Sequence, residues 1–250
     1  MRYSHYLHRS NHLKSPKIQR RQRLTSIVIL VLVVMSFVLF FRPKGIDWPT
    51  YYKFFAISSF RILVAYLMAA IIAVFLAFLT LKNRFIEGLL LPVLDVAQSF
   101  PSFALLPFLI VIFGANGLVV IVILTINIVW PILFTLIGSL KSSRDDLDNA
   151  ATLFGAKGWR KLVYFRLPSI FPAFISGSII GAGEAWDVIV GAEIIAQVGG
   201  IGALLGKIGE SGNLLQLSMA VSVYLLLIFL LNQIIWIPLL NYSTRYQNES

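Results

Sequence analysis

Few side chains in this chain of 250 residues could do chemistry. It has no cysteine, which removes disulfides, thiolate nucleophiles and zinc–sulfur sites together. The three histidines, His5, His8 and His12, could share a helix face as a metal site requires, but no carboxylate or cysteine joins them within residues 1–24. Seven Lys and Arg residues do, so the segment also reads as a basic tail held against anionic lipid. The acids of interest lie in apolar sequence. Asp95 stands beside Gln98, Ser99 and Pro101, and Glu184, Asp187 and Glu193 fall in GEAWDVIVGAEIIAQVGGIG. Ionisable groups in such surroundings are costly to bury, which makes them functional candidates. Glu184 and Asp187 are expected near the outer surface. A catalytic reading lacks a partner, because no histidine or cysteine falls within the apolar stretches. Gly206-Lys207 fails as the end of a phosphate loop: Ile201 stands where the first glycine belongs, and Ile208 where Ser or Thr would hold magnesium.

The elements that must position these residues are membrane helices. The chain is 58% hydrophobic and 13% charged, with a mean hydropathy of +0.84, far too apolar for a soluble domain. Its net charge of +10 could suggest nucleic acid, but the basic residues cluster beside apolar spans, which is the pattern of membrane topology. Spans are predicted over 27–41, 58–81, 89–113, 118–140, 168–185 and 215–240. The first shows no small-residue cleavage site after it and reads as a span, not a signal peptide. Arg61, near the start of the second, is expected to snorkel to the interface or to meet an anionic solute at a pore mouth. In the third, Pro92, Pro101 and Pro107 interrupt helical bonding where Asp95, Gln98 and Ser99 are polar. Broken backbone at that depth is tolerated only against protein or a water-filled cavity, so this segment is predicted to line a path for solute. Gly177 and Gly181 form a GxxxG that suits helix packing within one subunit or between two.

The longest polar interruption is SRDDLDNAATLFGAKGWRKLVYFRLPSIFP, residues 143–172. Leu147, Ala150, Ala151 and Phe154 share one helix face, Ser143 and the following acids suit a helix start, and Gly155 suits its end. A second short helix carries Trp159, Leu162 and Val163 among Lys157, Arg160, Lys161 and Arg166. Such a loop fits a partner at a membrane surface.

The order Ala150-Ala151, Gly155, Leu167-Pro168 resembles the "EAA" loop of ABC-importer permeases, the inner-membrane components of binding-protein-dependent transport systems. LLPVLDVAQSFPSFALLPFLIVIFG is similar to the matching stretch of the nitrate/sulfonate/taurine subgroup, and Ala192-Glu193 with Gly199-Gly200-Ile201-Gly202 resembles further family positions. Asn149 departs from the pattern, standing where the family has Glu. The resemblance implies an all-α integral membrane fold of six transmembrane helices, with a cytoplasmic coupling-helix loop that docks on an ATPase through Leu147, Asn149, Ala150, Ala151, Phe154 and Gly155. Asp95, Gln98, Ser99, Pro101 and Glu193 are then the pathway and gate residues.

The domains implied are a basic tail (1–24), a first helix and external loop (25–54), a permease core (55–241) and a short tail (242–250). The partners implied are a cytoplasmic ABC ATPase dimer that binds ATP and magnesium, a second permease copy or homologue, an external solute-binding protein and membrane lipid, with no nucleic acid. This chain itself is expected to hold no cofactor and no metal, and not to be an enzyme. The cargo implied is a small anion such as nitrate, a sulfonate, taurine or bicarbonate. An ion-coupled secondary transporter is the alternative, since a broken span and buried acids suit that class too. With both termini cytoplasmic in an inner (plasma) membrane, sixteen of the 21 Lys and Arg residues lie inside and five, Arg42, Lys44, Lys53, Arg61 and Lys207, outside. That asymmetry obeys the positive-inside rule.

Overall fold

A computed structural model describes residues 46–142, 151, 153–156 and 158–248, together with Val28 and Leu32. Among these the regular structure is helical throughout: α1 Trp48–Thr80, α2 Arg84–Gln98, α3 Ser102–Phe113, α4 Gly117–Ser142, α5 Leu167–Ile195, α6 Ile201–Glu210, α7 Leu214–Leu231 and α8 Ile237–Asn248. One-turn π segments, Leu162–Arg166 and Asn232–Trp236, lead into α5 and α8. Among the described residues, those of Asp47–Asn213 and 228–248 form one compact unit, and Leu214–Leu227 belong to a second.

Four stretches are long and apolar enough to cross a membrane: Trp48–Thr80, Gly117–Ser142, Val163–Ile195 and Leu214–Ser243. A fifth arises if α2 and α3, bent by 88° at their junction, are counted as one broken span. The span expected over 27–41 lies outside the described residues apart from Val28 and Leu32, as do the tail histidines. Six crossings therefore remain an expectation. Within the third predicted span the break falls at residues 99–101. Pro92 and Pro107 sit inside helices, and Pro101 caps the start of α3. The second and fifth spans are longer than apolarity alone predicted. α1 begins at Trp48, ten residues before the expected start, so Arg61 lies about 20 Å along the helix instead of at its end. α5 runs on to Ile195, carrying Glu184, Asp187 and Glu193 on one continuous helix.

The core of the larger unit is built around α4. Its buried residues include Ile123, Ile128, Ile132, Leu133 and Leu136, packed between α1 and α5. α1 meets it with a narrow stripe of small residues, Ala65, Ala69, Ala73 and Ala77, spaced one turn apart and fully buried. Small side chains let the two backbones approach, the main source of helix association where no hydrophobic effect operates between helices. α5 does the same through the GxxxG. A Cβ on Gly177 would lie 2.8 Å from the Ile132 Cα and the Pro131 carbonyl oxygen, and one on Gly181 3.2 Å from the Ile128 carbonyl. The motif is thus used inside one subunit. Tyr66 on α1 adds a hydrogen bond to Ser178 on α5 (3.0 Å) and an edge contact with Trp236, while Phe55 stacks on Trp186 at 5.3 Å. The opposite face of α1 leaves Phe60, Leu63, Leu67, Ile71 and Phe75 exposed, as a lipid-facing surface requires.

Candidate functional site

The strongest polar constellation ties α1 to the end of α5 and the start of α6. α5 ends in a Schellman turn: the Val198 and Gln197 amides donate to the carbonyls of Glu193 (3.1 Å) and Ile194 (3.1 Å), and Gln197 takes the left-handed conformation at φ 53°. Chain reversal there brings α6 back against the Glu193 side chain, which is completely buried. One carboxylate oxygen, Oε1, accepts the Ser58 hydroxyl at 2.7 Å and the Arg61 guanidinium at 2.6 Å. The other, Oε2, accepts the Gly202 amide at 2.9 Å. Ser58 in turn accepts the Ile201 amide at 2.9 Å, and Arg61 Nη1 also donates to the Gly199 carbonyl at 2.7 Å.

Each partner has a physical reason. The first amides of a helix have no partner within it, and the helix dipole leaves that end electropositive. Gly200, the N-cap of α6, offers no side chain to accept them, so Ser58 and Glu193 cap α6 from two other helices. A buried carboxylate is tolerated only when paired and hydrogen-bonded, and Arg61 provides the opposite charge. Close fit sets the glycines: a Cβ on Gly200 would fall 2.1–2.2 Å from the Glu193 carboxylate, and one on Gly202 2.4 Å from the Val190 carbonyl oxygen. The result is a latch that fixes the α5–α6 reversal to α1.

Arg61 is therefore not a free interfacial anchor. Glu193 stands out in the sequence by its depth, and the rule that intramembrane charges pair with one another points from it to Arg61, the basic residue of the second predicted span. Ser58 carries no such signal, and the glycines carry only their resemblance to family positions.

The other predicted pathway residues form a separate group. Asp95, Gln98, Ser99 and Pro101 gather, exposed, at the bend between α2 and α3. Gln98 donates weakly to Asp95 (3.4 Å), and Ser99 donates to the Asp95 backbone carbonyl (3.0 Å). Across the bend, Ser102 donates to Asn127 on α4 at 2.9 Å. No hydrogen bond or ion pair among the described residues joins this group to Glu193. Glu184 and Asp187 are exposed on α5.

Of the predicted docking residues, Leu147, Asn149 and Ala150 lie outside the described residues. Ala151 is buried and its carbonyl accepts the Ala156 amide at 2.8 Å, with Gly155 between them at φ 65°. That is the glycine-terminated helix end expected from sequence. Leu153 and Phe154 project outward, 87% and 80% exposed, and Phe154 meets Phe165 at 6.1 Å. Phe154 thus does not share the burial of Ala151. The turn presents an apolar pair to whatever lies beyond it.

The sequence is similar to those of known transport proteins. The family model described as "Binding-protein-dependent transport system inner membrane component" matches residues 65–237. The chain is 27% identical over 168 residues to the taurine transport system permease protein of Escherichia coli, covering 67% of this chain and 61% of that protein. It is 27% identical over 196 residues to a nitrate import permease protein of Leptolyngbya laminosa (78% of this chain, 70% of that protein). With the bicarbonate transport system permease protein of Synechocystis sp. the identity is 25% over 179 residues, 71% of this chain and 62% of that protein.

Proposed function

Because the chain belongs to the family of binding-protein-dependent transport system inner membrane components, we propose that it is the permease subunit of an ATP-driven importer. It forms the path for a small anionic solute such as nitrate, a sulfonate, taurine or bicarbonate and is driven by a separate ATPase. The observation that carries this reading is the exposed Leu153-Phe154 turn between α4 and α5. α4 is the most buried helix of the larger unit and α5 packs along it, so a force applied at the turn acts on a rigid pair. The segment 143–155 is then the cytoplasmic coupling element, and ATP and magnesium are held by the partner ATPase dimer. A second permease copy or homologue completes the pathway, and an external binding protein delivers the solute. Both termini are cytoplasmic. Asp95, Gln98, Ser99 and Pro101 line the path, while the Glu193 latch holds its outer gate. Alternating access requires two global states, each preferred by one ligand, and the bend between α2 and α3, where helical bonding is interrupted at residues 99–101, is where such a change of shape would fall.

The test is uptake into proteoliposomes holding the chain with its ATPase and binding protein. ATP-dependent uptake of one of these anions is expected. Uptake driven by an ion gradient without the ATPase would contradict the reading. Gly155→Val should keep ATP hydrolysis while uptake falls at least tenfold. A Cβ at Gly155 meets nothing within 4 Å, so the damage comes from forcing a β-branched residue to φ 65°.

A further inference from the structure

Beside the latch, on the far side of Arg61 from Glu193, lies an open cleft of about 490 Å³ between the first turns of α1 and the start of α4. Lys53, Ala56, Ile57, Phe60, Arg61, Gly117 and Ile121 line it. The latch uses only Nη1 of Arg61. The other edge of the guanidinium, Nε with Nη2, has no acceptor among the described residues, and the side chain keeps 14% of its surface. That edge is the fork that binds carboxylates, sulfonates and phosphates through two parallel hydrogen bonds.

Gly117 decides whether the fork can be reached. A Cβ there would stand 3.3 Å from both Nε and Nη2 and 3.7 Å from Cζ. A point farther from Cζ than from either nitrogen lies in front of the fork, not above its plane. Any side chain at 117 would therefore close the edge, and glycine leaves it facing the cleft. Two more features favour an anion. Lys53, exposed on the rim, has no ion pair among the described residues, and Gly117 opens a 26-residue helix whose Leu118 and Val119 amides donate to the Asn116 side chain, so that end adds its dipole's positive potential and not free donors. Glu193 offsets one positive charge, and Arg61 with Lys53 supplies two, so the site stays cationic. The remaining walls, Ala56, Ile57, Phe60 and Ile121, are apolar, and Phe60 opens onto the exposed face of α1.

We propose that this cleft binds an oxyanion head group carried on an apolar body, with Arg61 Nε and Nη2 gripping the head, Lys53 at its rim and the apolar walls holding the chain. Two sources share that chemistry: an anionic phospholipid of the membrane and a free organic anion. The site depends only on the fold, so it stands apart from the ATPase-coupled reading and is tested without an ATPase.

The full chain is purified in neutral detergent and titrated with hexanesulfonate. In parallel it is reconstituted into nanodiscs of phosphatidylcholine alone or with phosphatidylglycerol, and retained lipid is counted by native mass spectrometry. Gly117→Ala and Lys53→Gln are compared with the unaltered chain, because neither removes a latch residue. Hexanesulfonate binding that weakens at least tenfold in Gly117→Ala and severalfold in Lys53→Gln assigns the site to free organic anions. Selective retention of phosphatidylglycerol, lost in both variants, assigns it to lipid. The latch is followed through the unliganded melting temperature, expected to stay within a few degrees in both variants, so that lost binding reports the fork and not unfolding. Absence of both ligands from the unaltered chain, or equal binding by all three proteins, overturns the proposal.

Discussion

Glu193 can be a carboxylate at zero exposure because three donors, the Ser58 hydroxyl, the Arg61 guanidinium and the Gly202 amide, converge on it from α1 and α6, and its neighbours cannot be changed independently. Removing one member of a buried ion pair strands the other and typically costs about 3–5 kcal/mol. Glu193→Gln should therefore lower the melting temperature sharply, and Arg61→Met on that background should recover part of the loss. Additive losses in this double-mutant cycle would mean that the two charges do not act as a pair. Gly200→Ala should be destabilising by about 2 kcal/mol or more, because its Cβ would overlap the carboxylate. Gly199→Ala, whose Cβ would make an ordinary 3.5 Å contact with Phe54, should be near neutral. Gln197 pays a conformational cost at φ 53°, and Gln197→Gly should raise stability by up to about 1 kcal/mol. Of this site, Glu193 was legible in the sequence because an acid in an apolar run is anomalous by itself. Ser58 was not, since a serine in a helix is ordinary until the fold brings Ile201 to it.

Helices were legible as elements wherever apolarity was continuous, because a span needs nothing but length and hydropathy to be recognised. What they pack against was not, and the GxxxG of α5 illustrates why. Its two glycines promise a close neighbour without saying which, and the neighbour is α4 of the same chain. Gly177→Leu should prevent stable folding of the α4–α5 pair, since the added side chain meets backbone atoms that cannot move aside. Gly183→Ala, with nothing within 4 Å of its Cβ, should leave the melting temperature unchanged or slightly higher. Thermal denaturation in detergent separates the two. α2 is held differently. Leu94 is its one buried residue among those described, and Glu87 on its first turn pairs with Lys141 at the end of α4 at 2.7 Å. The lysine side chain is 47% exposed, so Glu87→Gln should cost no more than about 1 kcal/mol. The 88° bend was foreseen as a broken span from its three prolines, but only the fold shows that the break uses Pro101 while helix continues through Pro92 and Pro107.

At the scale of the whole molecule, a three-helix core carries the Glu193 latch near one end of α5, and an exposed apolar turn lies in the segment that precedes its other end. Under the proposed function, motion imposed at Leu153 and Phe154 passes through the short segment Trp159–Arg166 into α5, which runs unbroken from Leu167 to Glu193, so the turn is the input and the latch the output. The sequence could indicate this arrangement only by resemblance, because the proposed coupling involves a second protein, and its contact surface leaves no signature of its own in hydropathy or spacing. The most direct measurement places a photo-crosslinking amino acid at position 154 in membranes that contain the partner ATPase. The account predicts a covalent adduct with the ATPase and protection of position 154 from a membrane-impermeant reagent added outside. Labelling of that position from the outside, with no ATPase adduct, would contradict it.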